Sequence, residues 1–211
     1  SLLKRPVEAL EMSEQGRGRA FLDLMAAREA EAALATRGGN AALPDGNALA
    51  KPMAATEMSG VAGRLHSTVV AYSVLEKETL IWIVKPGSIR QVRVPVKKER
   101  VIALVAATTA PLRDSPKAGT PTRGEDLASL PLRGLGLLAL SRDDKAAWRE
   151  LHKLLVEPIA ADLPARGGRL TIVPHGPLFQ LSFAALRSES GQYLIEDYDL
   201  HFAPAISALE Y

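Results

Sequence analysis

Leu170–Leu186 reads LTIVPHGPLFQLSFAAL. Its first four residues are apolar and rich in β-branched side chains, which predicts a buried strand. Pro174, His175 and Gly176 then form a turn, and Leu178–Leu186 predicts a short helix. Upstream, Arg142–Ala161 predicts an amphipathic helix. It carries Trp148, Leu151, Leu154 and Leu155 on one face, and Ser141 offers an N-cap ahead of Asp143 and Asp144. Pro164, Gly167 and Gly168 turn the chain into the Leu170 strand. Helix, short turn and buried strand is the repeating unit of an α/β sheet.

Working outward, a strand cluster lies before this unit. Thr68–Leu75, Thr79–Val84 and Ile89–Val94 are β-branched and aromatic-rich. Glu76-Lys77-Glu78 and Pro86-Gly87-Ser88 supply turns, so an antiparallel meander is expected. Glu99–Ala110 predicts a helix, and Ala110–Ser129 a loop with Pro111, Pro116, Gly119, Pro121 and Gly124. Beyond the helix at Leu178, Tyr193–Phe202 alternates like a strand pair. At the other end, Pro6–Leu34 predicts a helix with Val7, Leu10, Phe21, Leu24 and Met25 on one stripe. Gly16 and Gly18 weaken its middle by about 1 kcal/mol each relative to Ala. Such a helix cannot hold its shape alone and needs a partner for its apolar face. Thr36–Gly63 is rich in Gly, Ala, Pro and small polar residues, and is expected to be a linker or mobile loop. There is no internal repeat. The expected organisation is a helical extension over 1–35, a linker over 36–63 and an α/β domain over 64–211.

The chain has 211 residues, of which 47% are apolar, so it can bury a real core. Lysine and arginine exceed the acids by a net +2, which gives no general reason to expect a polyanion partner. Local asymmetry remains. Lys85, Arg90, Arg93, Lys97, Lys98 and Arg100 gather around Glu99. Few aromatics interleave with them, so a solvated edge is expected in preference to a nucleic-acid groove. The chain contains no cysteine, which excludes disulfides, thiolate metal sites and a cysteine nucleophile from it. No apolar run approaches the ~20 residues of a membrane span, and no signal-peptide pattern is visible, so a cytoplasmic location is expected. The start at Ser1 and the stop at Tyr211, with no closing element, read as cuts.

His175 follows a buried strand, where ligands and catalytic groups of open α/β sheets collect. A catalytic histidine also needs a nucleophile or carboxylate within hydrogen-bond reach. The residues nominate none: Ser182 is near, but no G-x-S-x-G elbow surrounds it. A structural turn residue is the expectation. His66, His152 and His201 form no pair with metal-ligand spacing. Gly134 and Gly136 echo a phosphate loop without its third glycine or its lysine, and read as a turn. Glu196, Asp197 and Asp199 are weighed as paired carboxylates and as a charged sheet edge, and the edge is the simpler reading. No catalytic, cofactor-binding or metal-binding residue is therefore assigned, and no cofactor is expected.

Three places in the chain resemble one family. Ala9-Leu-Glu-Met-Ser-Glu-Gln-Gly-Arg-Gly-Arg-Ala-Phe-Leu-Asp-Leu24 is similar to the helix by which a TPR array hands over to a CHAT domain. Val69–Leu75 with Leu80–Val84 is similar to the meander of that domain. Val173-Pro-His-Gly-Pro-Leu178 with Phe183-Ala-Ala-Leu186 and Tyr193-Leu-Ile-Glu196 resembles the family's V-P-D/H-G-x-L-x-x-x-P-F-x-A-L…Y-L-x-E run. Ser182 departs from it, standing where the family usually has proline. CHAT domains are caspase-like modules, found after TPR repeats in bacterial proteins and related to separase.

The resemblance implies an incomplete, front-half caspase-like α/β sheet with flanking helices, an antiparallel meander and an N-terminal helical extension. The position of His175 is commonly His or Asp in the family. The catalytic His and Cys belong to later motifs, so none is carried over. The implied function is the non-catalytic scaffold half of a cysteine peptidase, coupling a TPR sensor to a downstream protease half. The alternative is a stand-alone protein-interaction module of degenerate CHAT type. The implied partners are proteins: the TPR repeats and protease half of one parent chain, or a protein ligand. A homodimer through the N-terminal helix or an exposed sheet edge is also expected. Neither nucleic acid nor a membrane is an expected partner.

Overall fold

In the computed structural model, residues 5–35, 53–113 and 142–210 are described. The strands are β1 (Ser67–Val74), β2 (Thr79–Lys85), β3 (Ser88–Val94), β4 (Arg169–Val173) and β5 (Asp199–Phe202). They form one mixed sheet in the order β3-β2-β1-β4-β5. β1–β2 and β2–β3 pair antiparallel, as the meander requires, while β1–β4 and β4–β5 pair parallel. The helices are α1 (Pro6–Ala35), α2 (Ala55–Arg64), α3 (Lys98–Arg113), α4 (Arg142–Leu155) and the single turn α5 (Leu194–Asp197). The result is the mixed α/β architecture expected, consistent with part of a caspase-like fold.

Every residue of β1 is buried. A strand covered on both faces reads as a continuous apolar run, and this one lies at the centre of three layers. One face carries Val70, Tyr72, Ile81, Ile83, Leu170 and Ile172 beneath α3 and α4, which contribute Val101, Val105, Leu151 and Leu155. The other carries Val69, Ala71, Leu80, Trp82, Val84 and Val173 beneath Leu10 of α1 and Met58, Val61 and Ala62 of α2. The register explains the sorting. Val70 faces Ile83 and Ile172, whereas Ala71 faces Trp82 and Val173. On the first face the Tyr72 hydroxyl donates to Leu155 O at 3.0 Å, tying the end of α4 to the sheet.

Several expectations are corrected. The linker expected over 36–63 is a helix in its last part, α2. Met58, Val61 and Ala62 give it a buried stripe among small residues. Its first amides are caught by carboxylates: Ala54 N–H by Glu57 and Ala55 N–H by Glu11 of α1, each at 2.8 Å. The helix expected through Ala161 ends at Leu155, and a 3-10 segment, Glu157–Asp162, follows. Pro158 lacks the N–H that a continuing helix needs. Leu178–Leu186 is two short 3-10 segments, Gly176–Gln180 and Phe183–Ala185. Tyr193–Phe202 is not a strand pair: α5 precedes the lone strand β5. The Glu196 carboxylate accepts from Tyr193 N–H at 2.8 Å and caps that turn, which overrides the alternation.

The first turns of α1 rest on the chain's own sheet. Leu10 is fully buried, and Trp82 Nε1–H donates to Pro6 O at 2.9 Å. For these first turns the packing partner is thus the chain's own sheet. Of the loop expected over 110–129, residues 110–113 belong to α3, and the rest lies outside the described residues. So do Gly134 and Gly136.

Candidate functional site

The carboxyl ends of the parallel strands β1 and β4 bring His175 beside residues of α1. His175 adopts extended backbone, and Gly176 takes φ +56°, a left-handed conformation suited to glycine. The ring is half-buried, and its Nδ1 accepts a hydrogen bond from Val74 N–H at 3.2 Å, the last amide of β1. That bond requires a bare Nδ1, so the neutral ring carries its proton on Nε2. Burial holds the imidazole pKa below its ordinary value, and the positive charges of Arg17 and Lys98 push the same way. Among the described residues no hydroxyl or carboxylate hydrogen-bonds the ring. Ser182 lies exposed beyond the next 3-10 segment. His175 therefore staples β4 to the end of β1, as a structural turn residue does.

Beside it lies a buried polar cluster. Arg17 Nη2 donates to Tyr72 O and, at 3.0 Å, to Ser73 Oγ. Ser13 Oγ lies 3.1 Å from Ser73 Oγ. Glu14 Oε1 accepts from Ser207 N–H at 3.0 Å and from Ser207 Oγ–H at 3.1 Å. Glu14 Oε2 stands 3.8 Å from Arg17 Nη1, close enough for charge pairing and too far for a hydrogen bond. Glu14 Oε2, Arg17 Nε and Arg17 Nη1 are buried with no hydrogen-bond partner. Burial lowers the Arg17 pKa, and the Glu14 charge raises it. An open cleft of ≈ 530 Å³ runs between α1 and the His175 turn, with Met12, Gly16 and Arg17 on one side and His175, Phe179 and Pro204 on the other.

An apolar stripe alone does not reveal this cluster, because its members are charged. Leu10, Glu14 and Arg17 fall on one helical face at the same spacing, and an acid and a base on an apolar stripe were the available signal.

The remaining candidates fall apart spatially. His66 is an exposed turn residue with φ +48°, and its N–H bonds Gly63 O. His152 Nδ1 lies 3.5 Å from Glu157 Oε1 on the boundary of α4. His201 Nε2 lies 3.1 Å from Asp199 Oδ2 on the exposed edge strand β5. Among the described residues no cluster of His, Cys, Asp and Glu could hold a metal ion. Glu196, Asp197 and Asp199 do not converge on a shared site: Glu196 caps Tyr193, Asp197 pairs with Arg166 at 2.7 Å, and Asp199 pairs with Arg169 at 3.2 Å. The bond from His201 and then the bond from Arg169 lower the Asp199 pKa. Nor do the three form one charged sheet edge, because Asp197 ends α5 and only Asp199 lies on β5.

The basic stretch is largely neutralised by acids from other elements. Arg90 and Lys85 meet Asp162, Arg93 meets Glu78 at 2.7 Å, Lys98 meets Glu76 at 2.9 Å and Arg100 meets Glu150 at 2.6 Å. Among the described residues no helix is long and apolar enough to cross a membrane.

The family model described as the CHAT domain matches residues 145–211, consistent with part of a CHAT domain. The match spans most of α4, the strands β4 and β5, and the His175 turn between them. CHAT domains form a caspase-like, peptidase-related family. No curated protein matches the sequence.

Proposed function

We propose that this chain is the non-catalytic, scaffold half of a CHAT-family cysteine peptidase, acting in the cytoplasm. It buttresses a protease half and links that half to TPR repeats through α1. The observation that carries this is the state of the strand-end site. The one histidine placed where catalytic groups collect is held by Val74 N–H, and the sequence has no cysteine to act as its nucleophile. Support also comes from the sheet edge. β5 is parallel to β4 and ends in Phe202, which is 54% exposed, beside a second open cleft bounded by Phe179, Phe183 and Pro204. An edge with exposed aromatic surface suits pairing with another element, and a protease half is the occupant proposed.

The test mixes the chain with a separately expressed CHAT protease half carrying the family's His and Cys. The expected outcome is a stable complex with peptidase activity that the chain alone lacks. Turnover by the chain alone, lost on His175→Ala, would overturn the proposal. Failure to associate with any such half would leave a stand-alone interaction module as the function.

A further inference from the structure

The seat of α1 is polar where a helix–sheet contact is usually apolar. Over residues 6–20, Leu10 is the only apolar side chain larger than glycine that is fully buried. The next buried position along the stripe is Glu14, at 1% exposure, followed by the Arg17 side chain at 9%. Water is thus removed from two opposite charges, yet they stand 3.8 Å apart with no hydrogen bond between them. Three of their polar atoms have no hydrogen-bond partner. Two charges moved out of water return little net stabilisation when their geometry is imperfect. An elementary helix–sheet contact held this way opens more easily than the apolar core beneath it.

We infer that residues 6–20 of α1 form a reversible strap, which undocks from the sheet as a unit while both sheet layers stay folded. The strap reaches the strand-end site directly. Arg17 grips Tyr72 and Ser73 next to the amide that holds His175, and Met12 and Gly16 wall the cleft opposite the His175 turn. Glu14 meanwhile holds Ser207, in the segment after β5. Undocking therefore frees the ends of β1 and the chain beyond β5 together. A pull on α1 from upstream is transmitted to the face where a protease half is proposed to sit. This deepens the scaffold proposal and rests on it only for its use, since the docking equilibrium belongs to this chain alone.

Hydrogen exchange on the isolated chain, resolved by residue and followed with added denaturant, tests it. Amides of residues 10–20 are expected to exchange about 100-fold or more faster than those of β1 and β2, with a smaller denaturant dependence. Arg17→Met strands the Glu14 carboxylate and is expected to speed exchange in 10–20 at least about tenfold, leaving β1 and β2 unchanged. Adding Glu14→Gln removes the stranded charge, keeps an acceptor for Ser207, and is expected to recover most of that factor. Exchange of α1 at the rate and denaturant dependence of β1 would overturn the strap and leave the scaffold proposal standing. So would an Arg17→Met effect spread equally over α1 and the sheet, or one that Glu14→Gln fails to reverse.

Discussion

If His175 is a staple and no base, its acceptor atom matters and its titration does not. Three substitutions separate these roles. His175→Ala removes the acceptor and leaves the Val74 N–H without its partner. An orphaned buried donor costs about 1–3 kcal/mol, and the low end applies because water reaches a half-buried ring. A loss of about 1 kcal/mol corresponds to about 2–4 °C in Tm for a chain of this size. His175→Asn places an amide oxygen near the Nδ1 position and is expected to keep most of that stability. His175→Asp does the same with a charged acceptor, and Arg17 and Lys98 favour its charge. The pH dependence has a definite sign. Burial, Arg17 and Lys98 lower the folded-state pKa, so the unfolded chain takes up the proton first as pH falls. Stability from this residue is complete above the ordinary histidine range and is lost as pH falls through it. The Asn variant lacks that loss. Urea unfolding of wild type and the three variants at pH 7.5 and pH 5.5 measures both effects. Equal stability of Ala and Asn variants at pH 7.5 would refute the staple. An equal acid loss in wild type and Asn variant would refute the titration argument.

Four further outcomes follow from named contacts. Tyr72→Phe orphans Leu155 O and is expected to cost about 1–3 kcal/mol by denaturant unfolding near neutral pH. That difference should shrink above about pH 10, because burial raises the Tyr72 pKa and an unfolded tyrosine ionises first. Phe183 is 1% exposed and packs against Tyr72 with ring centroids 5.4 Å apart, so Phe183→Ala should cost about 3–5 kcal/mol in the same assay. Ser182→Pro should be neutral or stabilise by up to about 1 kcal/mol: φ is −78°, and Leu181 before it is extended, as a residue preceding proline must be. Gly168→Ala should destabilise measurably, since the added Cβ would lie 2.8 Å from Ala165 O and from Pro164 Cβ.

The strands were legible because their periodicity and their burial agree. β1, β2 and β4 are runs of β-branched and aromatic residues, and they form the centre of the sheet. Helix, turn and buried strand in succession pointed to an α/β sheet around Leu170, and there β4 pairs parallel with β1. What was not legible depended on contacts distant in sequence. α2 hides in a small-residue stretch, and Glu11 caps its first turn from 44 positions away. α5 is one turn, short enough that a single carboxylate on Tyr193 N–H decides it against a strand. The basic stretch looked like a surface patch because its partners Asp162 and Glu150 come from elements after a long intervening segment.

The same limit explains why the site was half visible. His175 stood out because a histidine after a buried strand invites a catalytic reading, yet position alone cannot say which atom of the ring is used. The bond from Val74 N–H to Nδ1 settles that: the ring is used there as an acceptor. Glu14 and Arg17 carry the opposite lesson. Their residue types on a helix would ordinarily mark a solvated face, and only the sheet beneath α1 turns them into a buried pair. The end of β1 beside His175 is therefore tied to α1 by a charged residue that the sequence presents as surface.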